Sequence, residues 1–136
     1  MQYGVPNSRP RYYLLASRNP QFQPASLSKE PPISGSIDPE PICGYLETTP
    51  SLISFLELKT LQKYGKAIDV VTRNSKRSAC FTKSYGSYIS GCGSYFCENE
   101  DLVDGQHLAD EALTRLSDVK VRKLTPREVS LLLLPI

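Results

Sequence analysis

The sequence predicts a mixed α/β fold, and three stretches predict it. Tyr12-Tyr13-Leu14-Leu15-Ala16 is a continuous apolar run rich in β-formers, the pattern of a strand buried on both faces inside a larger sheet. Apolar residues at Leu52, Phe55, Leu58, Leu61 and Tyr64 recur at helical spacing. Thr125-Pro126-Arg127-Glu128 carries a helix-start signature, with Thr125 placed to cap, Pro126 at the first helical position and Glu128 three residues after the cap.

Composition narrows the class. At 136 residues the chain is one small domain or a piece of a larger one. Lys+Arg 16 against Asp+Glu 14 leaves a net charge of +2, which argues against a histone-like basic protein and against a wholly disordered acidic one. A single histidine, His107, excludes any multi-His metal site. Cys43, Cys80, Cys92 and Cys97 are too few for a disulfide-dense secreted scaffold. They contain no CxxC pair and, with His107, offer at best a Cys₃His set at spacings unlike common zinc modules, so no metal is expected. No apolar run approaches the roughly 20 residues of a membrane helix. The start, Met1-Gln2-Tyr3-Gly4-Val5-Pro6, has neither the basic nor the apolar region of a signal peptide. The expectation is a soluble protein of a reducing compartment, cytoplasmic or nuclear or both, with no membrane partner. A whole enzyme fits poorly in this length.

Taken in order, the elements are unevenly supported. Pro6 and Pro10 punctuate the approach to the run at 12–16, and nothing nearby supplies the strands it would pair with. Residues 19–50 hold Pro20, Pro24, Pro31, Pro32, Pro39, Pro41 and Pro50. Proline fixes φ and removes a backbone donor, so this stretch reads as a loop or linker, or as a proline-motif docking site. The helix at Leu52–Tyr64 would start at Thr49-Pro50-Ser51 and stop at Gly65. Ile68, Val70 and Val71 suggest an extended segment. From Ser78 to Cys97, Phe81, Tyr85, Tyr88, Tyr95 and Phe96 stand among Gly86, Gly91 and Gly93, which predicts short aromatic strands joined by glycine turns. Residues 108–116 are weakly helical. The apolar helix from Pro126 runs for barely two turns before Pro135 and is too short to stand alone, so both ends of the chain look amputated.

The small net charge hides segregation. Residues 59–83 carry Lys59, Lys63, Lys66, Arg73, Lys76, Arg77 and Lys83 against Asp69 alone, and 98–118 carry Glu98, Glu100, Asp101, Asp104, Asp110, Glu111 and Asp118 against Arg115 alone. The basic stretch runs into the aromatic, glycine-rich one. Cations beside aromatic faces are what single-stranded or looped nucleic acid requires, while a solvated charged face explains the same pattern without a ligand. Cys80 is the most electropositive thiol, near Lys76, Arg77 and Lys83, and an inert buried thiol is its alternative reading. His107 follows Asp104-Gly105-Gln106, a turn, and reads as a surface residue.

Three segments together resemble the cytosine-5 methyltransferases, and within them the tRNA (aspartate) branch that looks like DNA methyltransferases. Gln2-Tyr3-Gly4-Val5-Pro6-Asn7-Ser8-Arg9-Pro10-Arg11-Tyr12-Tyr13-Leu14 is similar to the family's motif VIII, with Asn7 where DNA enzymes usually have Gln. Cys80-Phe81-Thr82-Lys83-Ser84-Tyr85-Gly86-Ser87-Tyr88, followed by Gly91-x-Gly93-Ser94, resembles the Cys-Phe-Thr signature of the tRNA branch's target recognition region. Arg122-Lys123-Leu124-Thr125-Pro126-Arg127-Glu128 resembles motif IX. Order and spacing agree across nearly the whole chain, with 19–60 the weakest match.

The resemblance implies the C-terminal portion of a class I, Rossmann-like S-adenosylmethionine-dependent methyltransferase, with a small mixed α+β target recognition region. Its implied parts are the end of the catalytic domain at 1–18, a linker at 19–50, the recognition region at 51–118 and a truncated return helix at 119–136. It implies roles for Arg9 and Arg11 at the flipped cytosine, where fixed guanidinium donors can hold a base carbonyl and a phosphate. It assigns Cys80, Phe81 and Thr82 to target recognition, and Lys76, Arg77 and Lys83 to tRNA phosphates. The departures are equally specific. The Pro-Pro-Cys-Gln nucleophile motif, the Glu-Asn-Val motif, the glycine-rich cofactor loop and motif X are absent, and Pro41-Ile42-Cys43 does not replace the first. The expected function is therefore substrate recognition within transfer of a methyl group from S-adenosylmethionine to an anticodon-loop cytosine. The fragment alone would be inactive and would bind no cofactor. The alternatives are a non-enzymatic RNA-binding module and a fragment of a DNA cytosine-5 methyltransferase.

Overall fold

The computed structural model describes residues 4–7, 16–19, 38–50 and 53–133. Within them, β-branched Val70-Val71 favours an extended backbone and forms strand β1, Asp69–Val71. It pairs in parallel with β2, Ser94–Cys97, in the register Asp69↔Ser94, Val70↔Tyr95 and Val71↔Phe96. Every residue of β2 is buried, as expected of a central strand covered on both faces. A two-residue hairpin joins β3, Val103–Asp104, to β4, His107–Leu108, through Gly105 at φ 61°, and Val70 N–H donates to Gln106 O at 2.8 Å along the outer edge of β1. The antiparallel neighbour on the other side of β2 is β5, Val121–Lys123.

Sequence periodicity places a helix over Leu52–Tyr64, but helix α1 covers only Leu58–Tyr64. Before it, the backbone is extended and pairs with β5: Leu56 N–H donates to Val121 O at 2.8 Å, and Lys123 N–H donates to Ser54 O at 2.9 Å. Sheet pairing at Phe55↔Arg122 has overridden the local helical pattern. Gly65 does end α1, though with a right-handed φ of −55°. It is glycine because a Cβ there would lie 2.6 Å from Leu113 Cδ2. Helix α2, Asp110–Thr114, and a 3-10 turn at Leu116–Asp118 realise the weak helical pattern of 108–116. Helix α3, Pro126–Leu133, starts where the capping signature places it.

The sheet separates two apolar layers. On one face Val70, Tyr95, Cys97 and Val121 pack with Leu61 of α1, Leu108 of β4 and Ala112 of α2. On the other, Phe96 packs with Phe81, Leu124, Leu132 of α3 and Tyr45. Tyr45 belongs to a 3-10 turn, Ile42–Tyr45, in which Ile42 is also fully buried, so the end of the proline-rich stretch is packed against the sheet. Residues 12–15 of the apolar run expected at 12–16, residues 20–37 of the linker expected at 19–50, and the end of the chain after 133 lie outside the described residues.

Candidate nucleic-acid interface

The Cys-Phe-Thr block lies on the connection from β1 to the parallel strand β2. A helix usually makes such a crossover; here a loop makes it, held by side chains. Asp69 anchors its base. Its carboxylate accepts from Arg77 Nη2 and from Ser94 Oγ, and Ser94 Oγ in turn accepts from Ala79 N–H at 2.7 Å. Ser94 is fully buried, so this chain of bonds fixes the residues just before Cys80.

The next anchor is Phe81, 4% exposed, whose ring meets Tyr85 edge-on at 5.1 Å between centroids. Gly93, at φ 146°, allows this contact, because a Cβ there would fall 2.4 Å from Phe81 Cδ1. Tyr85 Oη donates to Ser94 O at 2.7 Å and accepts from Leu124 N–H at 2.9 Å, and burial pushes its phenol well above the ordinary range. Thr82 N–H donates to Cys92 O at 3.0 Å. Phe81 is thus the wedge that holds the loop, while Thr82 and, at the start of a 3-10 turn over Lys83–Gly86, Lys83 stand exposed. Cys80 is half-buried and forms no disulfide.

A second, distant segment docks on this loop. Ser78 Oγ donates to Pro6 O at 2.7 Å, and Asn7 Nδ2 donates to Ser78 Oγ at 3.0 Å and Ala79 O at 3.2 Å. Val5 packs into the layer containing Phe81. The residues resembling motif VIII therefore sit against Ser78 and Ala79, the two residues directly before the recognition signature. Sequence reasoning singled out Asn7 as a substitution and gave Ser78 no role; their pairing across the chain leaves no local signal. Arg9 and Arg11 lie outside the described residues.

The third segment is joined by a buried ion pair. Arg122 of β5 donates Nη1 to Glu128 Oε2 at 2.8 Å and Nη2 to Glu128 Oε1 at 2.9 Å, and its guanidinium lies 4.7 Å from the Phe96 ring centroid. The capping box closes as the sequence predicts: Glu128 N–H donates to Thr125 Oγ1 at 3.2 Å and Thr125 N–H to Glu128 Oε2 at 2.8 Å. Glu47 N–H also donates to Glu128 at 3.1 Å. Burial alone would raise the Glu128 carboxyl, but Arg122 and the two backbone donors outweigh it and hold the carboxyl below its usual range. A cavity of about 280 Å³ opens beside this pair between Phe55, Phe96, Arg73 and Lys120. Arg122, which also lines it, is already satisfied by Glu128.

Folding also redistributes the basic stretch. Lys66 pairs with Asp110 at 2.6 Å and Arg73 with Glu98 at 2.8 Å, while Lys76 pairs with Asp38 and Arg77 with Asp69. Lys76 thus meets a carboxylate 38 residues away and Arg77 the one carboxylate of its own stretch, and the basic surface is smaller than the run of cations predicts. Among the described residues, Lys83 makes no ion pair, and Lys123 Nζ donates to Gly86 O at 2.9 Å on the same turn. The described acidic residues 100, 101, 104, 110 and 111 are exposed, and His107, also exposed, lies with Nδ1 2.9 Å from Ile68 O. Among the described residues no His/Cys/Asp/Glu cluster could hold a metal ion, and no helix is long and apolar enough to cross a membrane. Among the described residues, no strand passes through a glycine loop into a helix.

No family model matches the chain. It is 37% identical over 97 residues to a tRNA (cytosine(38)-C(5))-methyltransferase of Rattus norvegicus, covering 66% of this chain and 25% of that protein. It is 30% identical over 145 residues to the protein of that name from Spodoptera frugiperda, covering 96% of this chain and 42% of the relative. A solved structure of a Spodoptera frugiperda DNMT2 variant superposes with a TM-score of 0.68 at 28% identity, over 96% of this chain and 43% of that one. The Entamoeba histolytica methyltransferase EhMeth gives 0.64 at 29% identity, over 96% and 37%. The chain therefore spans less than half the length of each of these relatives. It is a mixed α/β chain with part of a methyltransferase fold, similar over nearly its whole length to one part of the tRNA cytosine-5 methyltransferases.

Proposed function

We propose that this chain is the target-recognition part of a tRNA cytosine-5 methyltransferase and holds the RNA whose anticodon-loop cytosine is methylated, with aspartate tRNA as the substrate. One observation carries the reading: the Gly4–Asn7 segment is seated on Ser78-Ala79, directly before Cys80-Phe81-Thr82. This joins the two regions that a recognition loop and an active-site strand would share. Arg9 and Arg11 follow Asn7 in sequence, and we assign them to the reacting base. Of the three cations we assign to phosphate, Lys83 is in no ion pair, while Lys76 and Arg77 stand at the base of the same loop. S-adenosylmethionine would supply the methyl group in the complete enzyme, and the nucleophile and cofactor loop would come from sequence this chain does not contain. Four free thiols fit a reducing compartment, cytoplasm or nucleus.

The test is binding of fluorescently labelled tRNA to the purified chain across a salt series. Binding should weaken with salt, and Lys83→Glu should weaken it further and reduce the log–log salt slope by about 1. No methyl transfer from S-adenosylmethionine is expected from the 136 residues alone. No tRNA binding at low salt, or a preference for duplex DNA in direct competition, would overturn the reading.

A further inference from the structure

Tyr88 is 67% exposed, the most exposed of the large apolar side chains among the described residues. Its backbone is not loose. Its N–H donates to Ser84 O at 2.8 Å, and the core phenol of Tyr95 lies against the Tyr88 and Ile89 carbonyls, donating to Ile89 O at 2.9 Å. The fold thus fixes the main chain at Tyr88 and directs the ring outward. The flanking surface is open: a Cβ added at Gly86 or Gly91 would meet nothing within 4 Å.

Along the sequence, the charge of this loop has one sign. No carboxylate occurs between Asp69 and Glu98 in sequence. Asp69 is committed to Arg77 and Ser94, and Glu98 to Arg73. The turn itself carries the free ammonium of Lys83, and Lys123 of β5 reaches Gly86 O from the neighbouring strand. An anchored aromatic face beside uncompensated cations suits an unstacked base with its phosphates. A protein partner would need a contiguous apolar patch, whereas the apolar neighbours Tyr85 and Ile89 are turned into the core and the exposed residues flanking Tyr88 are Gly86, Ser87, Ser90 and Gly91.

We propose that Tyr88 stacks on an unpaired base of the bound RNA loop and so contributes to selecting looped over paired RNA. This rests on the tRNA-recognition reading and deepens it. The chain has no tryptophan, so Tyr88→Trp places a single reporter at the site. The probes are a labelled hairpin RNA with an unpaired loop and the same stem closed as a blunt duplex. On hairpin binding, Tyr88→Trp emission should be quenched. Tyr88→Ala should weaken hairpin binding by roughly tenfold or more and Tyr88→Phe should preserve it, with the duplex little affected. If wild-type protein binds the hairpin while Tyr88→Ala binds as tightly and the tryptophan emission is unchanged, stacking is overturned and RNA recognition stands. An equal loss on hairpin and duplex also overturns it. If wild-type protein binds neither RNA, the recognition reading falls and the stacking role falls with it.

Discussion

Glu128 is an acidic side chain with no exposed surface, stable there only because every partner is present. Arg122 donates to it twice, and the Thr125 and Glu47 amides donate as well. Removing one member leaves a buried charge unpaired. Arg122→Ala should therefore lose about 3–5 kcal/mol of stability, while the double change Arg122→Met with Glu128→Leu should lose much less. The pH dependence follows from the depressed carboxyl. Its folded pKa lies below the ordinary 4.5, so its stabilisation is complete above that value and is lost as pH falls through the folded pKa. Urea unfolding between neutral and acid pH should show the wild type losing stability more steeply than Glu128→Gln. Parallel curves would mean that the pair does not stabilise the fold.

The recognition loop, as an element, depends on a glycine for its packing. At Gly93 an alanine would combine an unfavourable φ of 146° with a Cβ 2.4 Å from the Phe81 ring and 2.9 Å from Tyr85. Strain of about 1–3 kcal/mol and overpacking of similar size should add. Gly91→Ala, also at positive φ but in open space, should incur the strain alone. Equal unfolding midpoints for the two variants would contradict the wedge role of Phe81. This contrast also shows where sequence was informative. Thr125, Pro126 and Glu128 act within one helical turn, so α3 and its capping box were legible. Gly93 could be read as a turn, but its contact with Phe81 is set by how the loop folds back. The start of α1 was misread because Phe55 satisfies helical spacing while its backbone pairs with Arg122, 67 residues on in the numbering. The ion pairs are set the same way: Asp38 and Glu98 become partners of Lys76 and Arg73 only when distant parts of the chain meet.

Across the whole molecule, the two apolar layers are tied together by tyrosine. Tyr85 packs against both layers and its hydroxyl joins β2 to Leu124, while Tyr95 lies fully buried in one layer with its hydroxyl on Ile89. Burial raises both phenols, Tyr95 to about 12 and Tyr85 further, because a phenolate would lose its hydration. In the unfolded chain these groups ionise near 10.0. The sign is therefore fixed: the stabilisation of the neutral phenols is whole below about pH 10 and is lost as pH rises through the folded values. Alkaline unfolding should be cooperative, with loss of sheet structure and ionisation of the buried tyrosines occurring in one step. Tyr85→Phe should be less stable at neutral pH, since the Leu124 amide and the Ser94 carbonyl each lose a partner at about 1–3 kcal/mol per buried group left unsatisfied. Its stability should then decline less steeply above pH 10 than that of the wild type, so the two curves converge. The measurement is urea unfolding at increasing pH, followed by circular dichroism and tyrosine absorbance together. Tyrosine ionisation that runs to completion while the sheet signal is intact would show that the phenols do not couple the two layers.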